Sequence, residues 1–192
     1  MRPIGQQVDV RDEKLFEEAF DQNYELIYRY LRRRVRSELA ADLTAETFFV
    51  ALRDLDKFDP AVGSIRGWLF GIATNHLRRQ ARSEVRELRA YALSGVDPVA
   101  ADPMAEADER VDAEKLHRNM AIGLASLNDD DRDALLLLCW GELSYPEIAD
   151  AQSVALGTVK SRIARARRQL RASLEEQEIG PERESVEEAA NG

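Results

Sequence analysis

The chain has one cysteine, Cys139, in 192 residues, so no disulfide can form within it. Cys139 lies in the apolar run from Leu135 to Trp140 and reads as a small core hydrophobe rather than a redox group. Histidine is almost as scarce. His76 and His117 lie far apart, with no Cys or acidic ligand spacing around either, which argues against a metal site. No apolar run approaches the roughly 18 residues of a membrane span, and the N-terminus lacks a signal-peptide pattern. The expectation is a soluble, cytoplasmic protein without membrane insertion. The glycine-rich phosphate loop ending in Gly-Lys-Ser/Thr is missing. So are a carboxylate cluster for metal and a His-based pair, which leaves nuclease chemistry without machinery. No enzymatic activity and no cofactor are expected. Glycine and proline are few (10 and 6) while 33% of residues are charged, a balance that favours helices over a sandwich or barrel.

What the chain does have is segregated charge. Its net charge of −9 argues against a uniformly basic nucleic-acid binder. Basic clusters nevertheless lie at 29–36, 78–89 and 160–171, and acidic ones at 97–114 and 175–188. Such segregation suits a protein that meets DNA at selected patches and something else elsewhere. The last basic cluster is the most regular. Lys160, Arg162, Arg165, Arg167, Arg168 and Arg171 surround an apolar stripe of Val159, Ile163, Ala166 and Leu170 at helical spacing. Alone, it has two bland readings: a solvated basic face, or an amphipathic helix on an anionic membrane.

The preceding residues favour a third. Ser144 and Glu147 form a capping-box pattern, and Pro146 sits in the first turn, where a missing N–H costs little. A short helix near 145–151, a turn at 152–155 and the basic helix make helix-turn-helix order. The second helix of such a unit enters the DNA major groove with its N-terminal residues leading. Here Thr158, Lys160, Ser161, Arg162 and Arg165 would supply hydroxyls for phosphates and cationic groups for guanine edges. Arg167, Arg168 and Arg171 fall nearer the phosphates.

Leu143-Ser144-Tyr145-Pro146-Glu147-Ile148-Ala149, then Gly157-Thr158-Val159-Lys160-Ser161-Arg162 and Arg165-Ala166-Arg167, resemble a known domain. It is the C-terminal DNA-binding domain of the extracytoplasmic-function (ECF) group of bacterial sigma-70-type sigma factors. The resemblance implies that this helix reads the promoter −35 duplex. Gln152-Ser153 replaces the Leu-Gly common in the turn, and Asn128 replaces a common Pro while still serving as a cap.

The N-terminal half supplies its own signals. Phe16, Ala19/Phe20, Ile27, Tyr30/Leu31 and Val35 mark a long amphipathic helix. Its basic end at 32–36 suits the helix macrodipole, with phosphate contact as the alternative. A second helix, near 40–57, has an inward stripe of Leu43, Thr47, Val50/Ala51 and Leu55. Phe48, Phe49 and Leu52 extend beyond it, beside Asp42 and Glu46. These residues either complete a core or form an apolar patch rimmed with charge. The run 42–48 resembles the sigma-factor segment that grips the clamp helices of core RNA polymerase. That resemblance makes Asp42, Glu46, Phe48, Phe49 and Leu52 the polymerase contacts; Ala45 departs from the usual Gln.

Residues 58–64 read as a loop, with Asp59-Pro60 starting a turn and Ser64 capping the next helix, about 65–82. Trp68, Asn75, Arg79 and Arg82 align on one stripe, with Arg78 beside it. A ring, an amide and guanidiniums together suit a separated DNA strand; the alternative is a buried Trp68 with solvent-facing arginines. The run Ile65 to Asn75 resembles the segment that recognises and melts the promoter −10 element. By that resemblance Asn75, Arg78 and Arg79 face the −10 strand, Trp68 wedges at the melting edge, and the loop from Asp59 to Ser64 holds an extruded base.

Together these features imply an all-α protein of two helical domains joined by a flexible linker, the C-terminal one a helix-turn-helix. The expected divisions are 12–93 (region 2-like), 94–112 (acidic, Pro-containing linker), 113–174 (region 4-like) and 175–192 (acidic disordered tail). The implied function is that of an ECF-type sigma factor. It would bind bacterial RNA polymerase core and promoter DNA, duplex at −35 and single-stranded at −10. An anti-sigma protein is a further partner that the resemblance admits. The alternative is a helix-turn-helix regulator that binds operators without joining polymerase.

Overall fold

The computed structural model describes the backbone of residues 10–80 and 118–190, with side chains over 14–80 and 118–176. Helices account for the regular structure, and no strand occurs among the described residues. In order they are α1 (Val10–Arg32), α2 (Ser37–Arg53), a 3-10 turn (Leu55–Lys57) and α3 (Ile65–Arg79). There follow α4 over 118–126, α5 (Asp129–Cys139), α6 (Tyr145–Gln152) and α7 (Leu156–Ala190). The chain divides into two units: residues 1–79 with 137–156, and residues 80–136 with 157–192. The expected linker at 94–112 lies outside the described residues. The expected second domain, 113–174, does not stay whole in this division, because α6 packs on α3 in the first unit.

In the first unit, Ala19, Asn23, Ile27, Tyr30 and Leu31 recur on one face of α1 and are buried. Asn23 is satisfied there by donating its amide to the Ala19 carbonyl at 2.9 Å. On α2, Leu43, Thr44, Thr47, Phe48 and Ala51 are buried. The two threonine hydroxyls donate back to the Ala40 and Leu43 carbonyls at 2.7 and 2.6 Å, so neither needs a partner from another helix. From α3, Leu69, Phe70, Ala73 and Leu77 complete the core, with the Phe70 ring 5.3 Å from that of Tyr30. Arg34, from the basic run after α1, is inside this core at 2% exposure. Its guanidinium donates to the Tyr30 hydroxyl and lies 5.3 Å from the ring centre. Part of a run with two surface readings is therefore structural.

The α6 helix begins as its sequence pattern demands. Glu147 N–H donates to Ser144 Oγ at 3.4 Å, and Ser144 N–H donates to Glu147 Oε2 at 2.8 Å, closing the capping box. It ends at Ser153, a left-handed residue (φ 53°, ψ 46°) whose N–H caps the last turn. Contact with α3 is close because two residues of α3 have no side chain. A Cβ at Gly67 would stand 2.7 Å from the Glu147 carbonyl oxygen, and one at Gly71 2.8 Å from that of Ala151. Each glycine costs an interior helix about 0.5–1 kcal/mol relative to alanine, and the close packing of α6 offsets that cost.

In the second unit, Ala121, Leu124, Leu127, Ala134 to Leu136 and the α7 stripe of Val159, Ile163, Ala166 and Leu170 are all buried. Asn128 caps α5 by accepting from the Asp131 N–H at 3.0 Å. Two expectations change. Cys139 is exposed, because α5 ends there before its apolar run does. The segment from 175, expected as a disordered tail, continues α7 to Ala190. Residues 171–178 hold no glycine and no cap, so nothing ends the helix where the apolar stripe ends. Local propensity does not account for its passing Gly180 and Pro181.

Candidate polymerase and nucleic-acid interfaces

The residues expected to grip polymerase occupy α2. Asp42, Glu46, Phe49 and Leu52 recur at three- and four-residue intervals and face outward. Phe49 is 66% exposed and Leu52 44%, a large apolar area to leave in water on a helix whose other face is packed. Phe48 is different. It is 4% exposed, with its ring 4.8 Å from Phe20, 5.8 Å from Tyr24 and 6.4 Å from Phe16. It belongs to the α1–α2 core and supports the patch from beneath rather than forming its surface. The same packing brings Phe20 and Tyr24, each more than one-third exposed, to the edge of the cluster. Sequence reasoning missed both, since the stripe of α1 was read only as core.

Glu46 has a second neighbour. Its Oε1 lies 3.6 Å from Nδ1 of buried His76 on α3. Burial pushes the His76 pKa below 6.5, Glu46 opposes that shift, and Arg79 adds to it. The His76 Nε2 has no hydrogen-bond partner among the described residues.

The expected −10 residues gather around the start and end of α3. Asp59 forms the loop's first turn, its Oδ1 accepting the Ala61 N–H at 2.9 Å. Ser64 caps α3, its Oγ accepting from the Gly67 N–H at 3.0 Å. Trp68 is half-buried, 5.4 Å from the Phe58 ring, and lines a cleft of about 600 Å³ with Asp59, Ser64 and residues of α6. It is thus neither fully core nor a free wedge. Asn75, Arg78 and Arg79 are exposed near the end of α3. Arg82 lies outside the described residues.

On α7, Thr158, Lys160, Ser161, Arg165, Arg167 and Arg168 are exposed. Two of the expected base readers also make ion pairs. Arg162, with 15% of its side chain exposed, pairs with Asp130. Arg165 grips both oxygens of Asp131, with Nη2 donating to Oδ1 at 2.6 Å. The Asp131 side chain is fully buried, and its carboxyl is held below the usual value of 3.8 first by Arg165 and then by Asn128, against the effect of burial. These pairs tie α7 to the first turn of α5. Arg162 and Arg165, expected as groups for guanine, thus carry intramolecular partners, and Arg165 stays half exposed beside its own. The run 129–131 was read as helix-start charge alone, and its partners lie more than 30 residues away in sequence.

Among the described residues no group of three His, Cys, Asp or Glu is placed to hold a metal. Nor is any helix long and apolar enough to cross a membrane. A capped helix, a left-handed turn and a basic helix define the class, a helix-turn-helix DNA-binding protein of transcription. The particular family follows from comparison. Residues 19–87 match the family described as Sigma-70 region 2, and residues 123–170 match Sigma-70, region 4. The ECF RNA polymerase sigma factor SigK of Mycobacterium bovis is 32% identical over 139 residues, 69% of this chain and 70% of that protein. SigE of Mycolicibacterium smegmatis is 38% identical over 131 residues, 67% of this chain and 49% of that one. Among solved structures, the sigma factor RpoE of Bartonella quintana, in complex with the anti-sigma factor NepR, matches with a TM-score of 0.55 and 25% identity. That match covers 84% of this chain and 98% of RpoE. CnrH, solved with the cytosolic domain of CnrY, shares the fold at TM-score 0.57 and 23% identity, over 85% and 89% of the two chains. The chain belongs to the ECF sigma factors of the sigma-70 family, the regulators that direct RNA polymerase in transcription initiation. Both family segments occur in order, and the operator-binding alternative falls with that finding.

Proposed function

We propose that the chain binds core RNA polymerase through Asp42, Glu46, Phe49 and Leu52 on α2, with Phe20 and Tyr24 flanking them. The observation that carries this reading is Phe49, two-thirds exposed beside Leu52 and framed by two carboxylates. An apolar centre with a charged rim gains from desolvation at the centre and orientation at the rim. At −10, Asn75, Arg78 and Arg79 contact the non-duplex strand while Trp68 and the loop from Asp59 to Ser64 receive an extruded base. Arg82 belongs to the same set by sequence. At −35, Thr158, Lys160 and Ser161 lead into the major groove, and Arg167 and Arg168 neutralise phosphate. Arg162 and Arg165 act through position, holding α7 on α5. The protein works by binding energy, without catalysis, in the cytoplasm. An anti-sigma protein is a further partner; the solved complexes of RpoE and CnrH support this.

The test is co-purification with bacterial RNA polymerase core and run-off transcription on promoter-containing genomic fragments. Core binding with new start sites is expected, and Phe49→Ala with Leu52→Ala should abolish it while the fold survives. Undiminished core binding by that double variant would remove α2 from the interface.

A further inference from the structure

His76 is a costly residue to place where it lies. Asn75 beside it and Arg79 one turn on are exposed, whereas the His76 side chain is only 7% exposed. A leucine would fill such a site without desolvating a polar ring. The imidazole instead buries Nε2 with no hydrogen-bond partner among the described residues. Its other nitrogen, Nδ1, lies 3.6 Å from Glu46 Oε1 on α2, and the Glu46 side chain is 52% exposed. One carboxylate therefore meets both solvent and the buried ring. The other charged groups around α3 are placed differently. Arg79, on α3 itself, disfavours a positive ring. From the α1 side come Tyr30, with its hydroxyl 3.4 Å from Thr74 Oγ1, and Arg34, which donates to that hydroxyl. Glu147 and Asp150 of α6 meet α3 at Gly67, more than two turns before His76.

We infer that His76 is a proton-controlled positioning residue for Glu46: neutral, it leaves the carboxylate turned out to a polymerase cation, and protonated, it draws the carboxylate back onto α3. The inference rests on the proposed role of Glu46 at the polymerase surface. Burial and Arg79 hold the ring neutral near pH 7, so the exposed carboxylate is then available to a partner. Protonation gives the ring a charge and a second N–H, and Glu46 is the carboxylate within reach of it. A polymerase cation on Glu46 cancels the attraction that favours the protonated ring. Core binding and protonation of His76 therefore oppose each other, and the opposition is reciprocal. The ring in the complex takes its proton at a lower pH than in the free chain. Core affinity is then level above the free-chain midpoint, which lies below 6.5, and declines as pH falls through it.

The chain has two histidines, so His117→Gln leaves His76 as the sole imidazole. In that background the His76 ring proton resonances give its titration midpoint in the full-length free chain. Glu46→Gln should move the midpoint to lower pH, and an unmoved midpoint overturns the contact. The dissociation constant for bacterial RNA polymerase core is then measured from one pH unit above the midpoint to one below, with circular dichroism confirming the fold at each pH. It should rise several-fold, with about tenfold the limit for a single proton. Dividing by the values for His76→Gln cancels the titration of polymerase itself. The rise should be absent in His76→Gln and in Glu46→Gln alike. A rise that persists in His76→Gln overturns the proton control. One that vanishes in His76→Gln yet persists in Glu46→Gln overturns the positioning of Glu46. Where His76→Gln does not fold, the half-exposed Glu46→Gln site carries the same comparison. Glu46→Gln also tests the underlying reading separately: unchanged core affinity one unit above the midpoint would remove Glu46 from the polymerase surface, while the resonance titration still decides whether His76 and Glu46 are coupled.

Discussion

Phe48 and Phe49 are neighbours in sequence with opposite environments, so truncating each should separate stability from binding. Phe48 is 4% exposed, and its ring contacts those of Phe20 and Tyr24. Phe→Ala in a core costs about 3–5 kcal/mol, lower where neighbours can settle into the space. Phe20 and Tyr24 are partly exposed and can do so, which points to about 3 kcal/mol for Phe48→Ala. With a urea slope of about 2 kcal/mol per molar, the unfolding midpoint should fall by roughly 1.5 M. Phe49 buries only a third of its surface. Full burial of such a side chain is worth about 1.5–3 kcal/mol, so at most about 1 kcal/mol is lost, and the better helix propensity of Ala returns about half of that. Phe49→Ala should therefore leave the midpoint almost unchanged while weakening core polymerase binding tenfold or more, the scale of a central aromatic in an interface. Urea unfolding followed by circular dichroism, with polymerase retention measured in parallel, distinguishes the two. Equal destabilisation by both substitutions would refute the assignment of one ring to the core and the other to the interface. So would an unchanged midpoint for Phe48→Ala.

Asp131 has a depressed folded-state pKa, so its contribution is present above pH 3.8 and lost as pH falls through the lower folded value; Asp131→Asn should flatten acid unfolding in that window. His76 also has a depressed value, but as a base. The unfolded chain takes its proton as pH falls past 6.5 while the fold resists it, so stability should decline below 6.5, and His76→Gln should remove that slope in calorimetric scans. Lys160→Ala should weaken −35 duplex binding and reduce the salt slope by about 1. Arg162→Ala should instead lower the melting temperature of the second unit, and a loss of affinity with no loss of stability would return Arg162 to the groove.

The helices were legible because their stripes are local. Ala19 to Leu31 and Val159 to Leu170 recur at helical spacing, and Ser144 with Glu147 announces the start of α6. Side-chain surroundings were not legible where one local pattern served two distant purposes. The acids at 129–131 look complete as helix-start charges, and only the fold brings Arg162 and Arg165 to them. Phe48 and Phe49 are equivalent by composition, and packing against α1 decides between them. The repeat of Gly63, Gly67 and Gly71 was a readable signal for a close neighbour, but nothing in the sequence says that the neighbour is α6.

The α7 helix places six cations between residues 160 and 171 and seven glutamates between 175 and 188 on one rod. The centres of the two groups are about 16 residues apart, roughly 24 Å at 1.5 Å per residue. The separation runs the same way as the peptide dipoles, positive toward the N-terminus, so charge and backbone add rather than cancel. In the field of a DNA duplex this rod feels a torque: its leading end is drawn in while its trailing end is pushed away. Approach with the N-terminus first is favoured before any base is touched, and added salt should slow that oriented encounter.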